Sequence, residues 1–173
     1  PALRGRTSMP FELRVVGDGP LRADMEALAE SLGVSDCVYF TGWVPQSQVR
    51  DWLQKADIFV LPSLMEGLSI ALLQAMACGL PVVTSDAVGN REVVGNGQNG
   101  FLVPVRDVRV WVEALATLIE DRKLRWRMGR RSRELVAKYD WHAVSRAYLQ
   151  LFEMHVAKDE AIIHPEKCES LGR

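Results

Sequence analysis

The chain has 173 residues, of which 48% are hydrophobic and 25% charged. These are the proportions of one water-soluble globular domain with its own core, not of a disordered segment. A formal net charge of −1 argues against a general nucleic-acid binder, which needs excess basic charge to neutralise phosphates. Cys37, Cys78 and Cys168 are widely spaced and form no Cys-x-x-Cys pair. They point to a reducing, cytoplasmic compartment rather than a disulfide framework or a zinc site. No apolar run approaches the ~20 residues of a membrane span, and Pro1 to Pro10 lack a signal-peptide core.

Strand-like and helix-like segments alternate along the chain with short connections. Phe11 to Val16 reads as a buried strand stopped by Gly17-Asp18-Gly19-Pro20. Pro20 suits a first helical position, and Leu21, Met25, Leu28 and Leu32 repeat at helical spacing until Gly33 closes the helix. Cys37 to Thr41 is a second strand ended by Gly42, and Val49, Trp52, Leu53 and Ala56 line one face of the next helix. Ile58 to Leu61 is a third strand, followed by an apolar helix from Ser69 to Cys78 and a strand from Pro81 to Thr84. Arg91 to Gly95 reads as a helical turn and Gly100 to Val103 as a fifth strand. Val108, Trp111, Val112, Leu115 and Ile119 open a long helical region, and the tail from residue 156 loses its periodicity. The expectation is an α/β, Rossmann-like parallel sheet covered on both faces, spanning residues 1–155, with a poorly ordered tail over 156–173. Ligands of such sheets sit where loops leave the carboxyl ends of the strands. Here those loops are Gly17 to Gly19, Gly42 to Gln46, Pro62 to Ser69 and Ser85 to Asn90.

The Pro62 to Ser69 loop carries the most chemistry. It holds Glu66 and Gly67 and runs into a helix start, where unpaired amides and the helix dipole favour an anion. Gly67 allows close approach to the backbone. A carboxylate beside an anion site is unfavourable unless it holds something else, and a sugar hydroxyl fits. From Ile70 to Cys78 every residue but Gln74 is apolar, so the helix is expected to be buried all round. Gln74 follows Ser69 by about 7 Å of helix. It either faces a ribose or bonds a neighbouring backbone group.

Pro62-Ser63, Glu66-Gly67, position 74, Ala75-Met76-Ala77, Gly79 and Pro81-Val82-Val83 together resemble the donor-site signature of the group 1 (family 4) glycosyltransferases. Val16-Gly17-Asp18-Gly19-Pro20, Phe40-Thr41-Gly42-Trp43-Val44, Lys55-Ala56-Asp57, Asn99 to Val103 and Tyr139-Asp140-Trp141 follow in the family's order. The resemblance covers residues 11–155. It implies the C-terminal half of a two-domain GT-B fold, a nucleotide-diphosphate sugar donor, retention at the anomeric carbon and no required metal. It also implies that Glu66 acts on the donor sugar. The amides of Gly67, Leu68, Ser69 and Ile70 would face the sugar and distal phosphate, and position 74 the ribose. The loop of Gly42 and Val44 would lie against the base, with Gly17 also at the substrate. Two departures stand out. Gln74 replaces the family's commonest glutamate, and the front strand with its phosphate-clamping lysine is missing, as is the acceptor-binding domain. Transfer by these 173 residues alone is therefore not expected. A different reading is a non-catalytic module that binds nucleotide sugar or a partner protein.

Other signals are weaker. Gly17-Asp18-Gly19 lacks the third glycine of a dinucleotide fingerprint, and Asp57 is not at a strand's carboxyl end as a receiver domain requires. His142, His155 and His164 lack metal-ligand spacing. Arg122 to Arg133 holds seven basic residues. That face could touch anionic lipid at the inner side of a membrane, but a solvated helix face is the preferred reading.

Overall fold

The computed structural model describes residues 1–163, with side chains through residue 155. Two units are distinguished, Pro1–Val136 and Ala137–Arg173.

The first unit alternates helix and strand: α1 (Ala2–Arg6), β1 (Leu13–Val16), α2 (Arg22–Ser31), β2 (Val38–Gly42), α3 (Gln46–Lys55), β3 (Phe59–Leu61), α4 (Ile70–Ala77), β4 (Val82–Ser85), α5 (Val88–Val93), β5 (Gly100–Val103), α6 (Val108–Glu120) and α7 (Arg122–Val136). All pairings between these strands are parallel, with Val15 opposite Phe40, Phe59 opposite Val82 and Val82 opposite Gly100. The α/β, Rossmann-like expectation holds in class. The strands nonetheless form two sheets rather than one, β1-β2 and β3-β4-β5. Among the described residues, no strand pairs with the second edge of β1 or of β3.

The core follows the larger sheet. Every residue of β4 is buried. Val83 packs with Val103, Ala114, Leu118 and Met128, and Trp111 and Leu115 close in around them. Buried Leu72, Ala75 and Met76 lie on one side of α4, whose C-terminus is a complete Schellman turn. Gly79, at φ +80°, donates to the Met76 carbonyl and Leu80 donates to that of Ala75. A Cβ on Gly129 of α7 would overlap the Gly79 carbonyl, so α7 can lie directly on this turn. Ser132 then donates to the Leu80 carbonyl at 2.7 Å.

The smaller sheet departs from the sequence reading. β1 is largely exposed rather than buried, with Leu13 at 43% and Val16 at 41% exposure. The Leu21, Met25, Leu28 and Leu32 stripe of α2 also faces outward, and only Ala29 of that helix is buried. The helix starts at Arg22, two residues beyond Pro20, because Pro20 and Leu21 form a turn. Its tie to the sheet is a small cluster of Ala29, Val34 and Cys37, against which Phe11, Val38 and Phe40 pack. The apolar periodicity is helical as expected, but among the described residues nothing covers it.

The second unit contains a short 3-10 turn (Ala137–Tyr139) and α8 (Trp141–Ile163). Asp140 caps α8, accepting from the His142 amide at 2.9 Å, which explains His142 as a helix-start residue. α8 passes the expected boundary at residue 155. Cys168 and His164 lie outside the described residues, while Cys37 and Cys78 are free thiols.

Leu118→Ala should cost about 2–5 kcal/mol, because it leaves a cavity in the larger core. Leu28→Ala, on the outward stripe, should stay within about 0.5 kcal/mol. Denaturant unfolding of the two variants checks the contrast, and equal losses would place Leu28 in a core.

Candidate functional site

At the carboxyl ends of β1 and β2, two glycines meet. The Gly17 amide donates to the Gly42 carbonyl at 3.0 Å. Both have positive φ, +132° for Gly17 and +72° for Gly42, a region side chains rarely adopt. Gly42 is also crowded: a Cβ there would lie 2.7 Å from Arg22 Nη1. Arg22 in turn pairs with Asp18 at 3.4 Å and Glu26 at 2.8 Å. Val44 is half-buried just beyond, and Trp43 stands out at 73% exposure.

A second cluster forms at the carboxyl ends of β3 and β4. Ser69 caps α4, accepting from the Leu72 amide. The amides of Gly67, Leu68, Ser69 and Ile70 meet no acceptor among the described residues. A Cβ on Gly67 would touch nothing within 4 Å, so the loop surface is open above it. Such a helix start presents unpaired donors and partial positive charge to an incoming anion.

Glu66 is half-buried and its direction is set. Ser63 donates its hydroxyl to Glu66 Oε2 at 2.9 Å. The Ser63 carbonyl accepts from the Ser85 hydroxyl at the end of β4. Asn90, fully buried, donates to the Ser85 carbonyl at 2.9 Å. The Gly89 amide donates to the Glu66 carbonyl at 3.2 Å. A Cβ on Gly89 would overlap the Gly67 carbonyl, so α5 can support this loop only with glycine there. Ser63, Ser85, Gly89 and Asn90 thus position Glu66; the sequence placed Ser63 in the family signature and Ser85 to Asn90 in a ligand-end loop, but gave none of them this role. The one available signal was the small polar or glycine character of both loops. The expected helical turn at Arg91 to Gly95 begins earlier, at Val88. Its start is anchored by these loop contacts and not by a side-chain cap. Beside it, Arg91 bonds both oxygens of Asp86 at 2.6 and 2.9 Å, and that guanidinium holds the Asp86 carboxyl below its ordinary range.

α4 is not buried all round. Ile70 is 66% exposed, and Ala71 and Ala77 are exposed too. The reason is that packing reaches only the Leu72, Ala75 and Met76 side. Gln74 lies at the border, half-buried, and its amide makes no hydrogen bond among the described residues. Binding a neighbouring backbone group therefore does not account for it. Among the described residues, no three His, Cys, Asp or Glu side chains converge as a metal site.

The sequence model described as "Glycosyl transferases group 1" matches residues 2–135. The lipopolysaccharide core biosynthesis glycosyltransferase LpsE of Rhizobium meliloti is 36% identical over 140 residues, covering 80% of this chain and 41% of that protein. The D-inositol 3-phosphate glycosyltransferase of Corynebacterium jeikeium is 36% identical over 129 residues, covering 75% of this chain and 31% of that protein. Among solved structures, a sucrose-phosphate synthase from Thermosynechococcus elongatus superposes with a TM-score of 0.81 at 27% identity, over 91% of this chain and 41% of its own. Anabaena HepE, solved in complex with UDP, gives 0.79 at 20% identity over 88% and 44%, a likeness of fold. The chain therefore spans less than half the length of each of these proteins.

Gly67→Ala should leave the stability of the unliganded protein within about 0.5 kcal/mol, because its Cβ enters open space. Gly89→Ala should cost about 2 kcal/mol or more, because the Glu66-Gly67 loop must move. Thermal melts of both variants test the pair, and a benign Gly89→Ala would remove the support assigned to α5.

Proposed function

The chain belongs to the group 1 glycosyltransferases, and on that premise we propose that it is the donor-binding half of a retaining enzyme. The donor is a nucleotide-diphosphate sugar. The observation that carries the reading is the Glu66-Gly67 loop, where open amides at the start of α4 adjoin a carboxylate held in place by Ser63. The amides of Gly67, Leu68, Ser69 and Ile70 receive the distal phosphate, and Glu66 accepts from hydroxyls of the donor sugar. As the sugar departs, negative charge grows on the diphosphate, and donors already aimed at it stabilise the transition state without reorganising. That role falls to backbone amides, and no resident metal is invoked. Gln74 takes the ribose, and the loop of Gly17, Gly42 and Val44 takes the base. HepE's complex with UDP and the sugar-transferring names of the relatives support a nucleotide-sugar donor. The acceptor is a glycan or a lipid-linked glycan, a class consistent with LpsE's role in lipopolysaccharide core synthesis. It would be held by a partner domain of the kind the longer relatives have room for.

Glu66→Ala should weaken a sugar nucleotide about tenfold or more, the worth of hydrogen bonds to a charged group. The bare nucleotide diphosphate should be nearly unaffected. Calorimetric titration with both ligands decides it, since equal losses would move Glu66 out of the sugar subsite.

Gln74→Glu should gain about 1 kcal/mol, roughly fivefold, in nucleotide affinity through charge-assisted bonds to vicinal hydroxyls. The position is only half-buried, so water still reaches the added charge, but with no partner there the unliganded variant should melt somewhat lower. A 2′,3′-dideoxy nucleotide should show none of the gain, and equal affinities for parent and variant would separate Gln74 from the ribose.

A further inference from the structure

The outer face of α7 carries a feature that the donor site does not use. Trp126 is 67% exposed. On a helix, positions three and four away are its neighbours. Here those positions hold Arg122, Lys123, buried Gly129 and Arg130, and exposed Arg127 follows Trp126 directly. Arg130 stands over the indole, its guanidinium 5.5 Å from the ring centroid. Arg122, Lys123 and Arg127 make no ion pair among the described residues. Glu134 offsets part of the group, meeting Arg131 at 2.9 Å and Arg130 at 3.7 Å, and Asp57 pairs with Arg125 at 3.8 Å where Arg122 and Trp126 line the same depression.

The opposite side of the same helix is committed to the fold. Met128, Gly129 and Ser132 are buried there. Arg125 is also spent inward, bonding the Leu118 and Ile119 carbonyls at 2.6 and 2.8 Å. Arg125 and Arg133 are thus engaged by the fold, whereas Arg122, Lys123 and Arg127 bond nothing among the described residues. The solvent-side set extends beyond a shallow cavity of about 410 Å³ bounded by Gly97, Gln98, Trp126, Arg127, Arg130, Arg131 and Glu134. From Arg122 to Arg130 it runs about 12 Å along the axis, too long a spread for one phosphate.

We propose that this face of α7 docks on an anionic lipid surface, with Trp126 entering the headgroup layer and Arg122, Lys123, Arg127 and Arg130 meeting lipid phosphates. An indole ringed by arginine and lysine is the composition that favours a membrane interface. The apolar body is buried among headgroups while the long cationic side chains remain at the charged plane. One exposed aromatic is too little apolar surface to hold a protein alone, so the charges supply most of the attraction. The surface is also local, for the whole chain has a net charge of −1. It does not depend on the donor-site reading.

Flotation of the 173-residue chain tests it, using vesicles of phosphatidylcholine alone and vesicles with about 30% phosphatidylglycerol. Binding should require the anionic lipid and fall away at high salt as screening shortens. Arg127→Glu/Arg130→Glu should lower partitioning tenfold or more, and Trp126→Ala should lower it severalfold. Both variants should keep the parent unfolding midpoint, because the altered side chains face solvent. If the double charge reversal does not fold, Arg127→Gln/Arg130→Gln takes its place. Absence of binding to anionic vesicles, equal binding to phosphatidylcholine alone, or parent-like binding by the variants would overturn the proposal. So would a face that binds inorganic phosphate, nucleic acid or an acidic protein but no vesicle.

Discussion

Val82 to Ser85 lie at 0 to 1% exposure between β3 and β5, and the positions of the other elements in the larger layer follow from that burial. A strand with neither face nor edge in water must pair every backbone group and fill the space on both sides. Glycines allow the close approaches this demands. Gly100 sits where a Cβ would overlap the Val82 carbonyl, and Gly129 where one would overlap Gly79. Thr84 is the imperfection, its buried hydroxyl having no partner among the described residues.

The Pro62 to Ser69 loop depends on the same strand. Ser85 is the last residue of β4, and its hydroxyl and carbonyl connect the β3 loop through Ser63 to α5 through Asn90. Glu66 is thus aimed by a relay of short polar side chains rooted in a rigid strand, while the helix beside it supplies the open amides. Separating the two roles suits the proposed site, in which a hydroxyl and an anion lie side by side. Rigid supports keep such geometry better than loops left to themselves.

Much of this was legible in the sequence because local rules decided it. The alternation of strands and helices and the start of α4 at Ser69 each follow from residue type and neighbours. Asn99 shows how a family motif can be structural rather than functional. Its buried amide accepts from Gly95 at 2.8 Å and donates to Val93 at 3.3 Å, closing the turn before β5. What the sequence concealed depended on partners distant along the chain. The periodicity of Leu21, Met25, Leu28 and Leu32 specifies a helix face but not what lies against it. In Ile70 to Cys78, apolar composition said nothing of which side packing would reach. Ser63 lies in the family signature and Gly89 in a ligand-end loop, but only their proximity to Glu66 reveals what they support.

The division into two sheets makes the molecule mechanically uneven. β3, β4 and β5 share a core with several residues at zero exposure, whereas the buried residues of the β1-β2 layer, Ala29, Val34 and Cys37, retain 7 to 8%. Cooperative opening begins where few apolar contacts must be broken. Transient excursions should therefore release α2 and its strands while the β4 layer stays folded. A nucleotide touching both the Gly17-Gly42 loops and the start of α4 would close that gap in local stability, acting as a clasp between a firm half and a loose one.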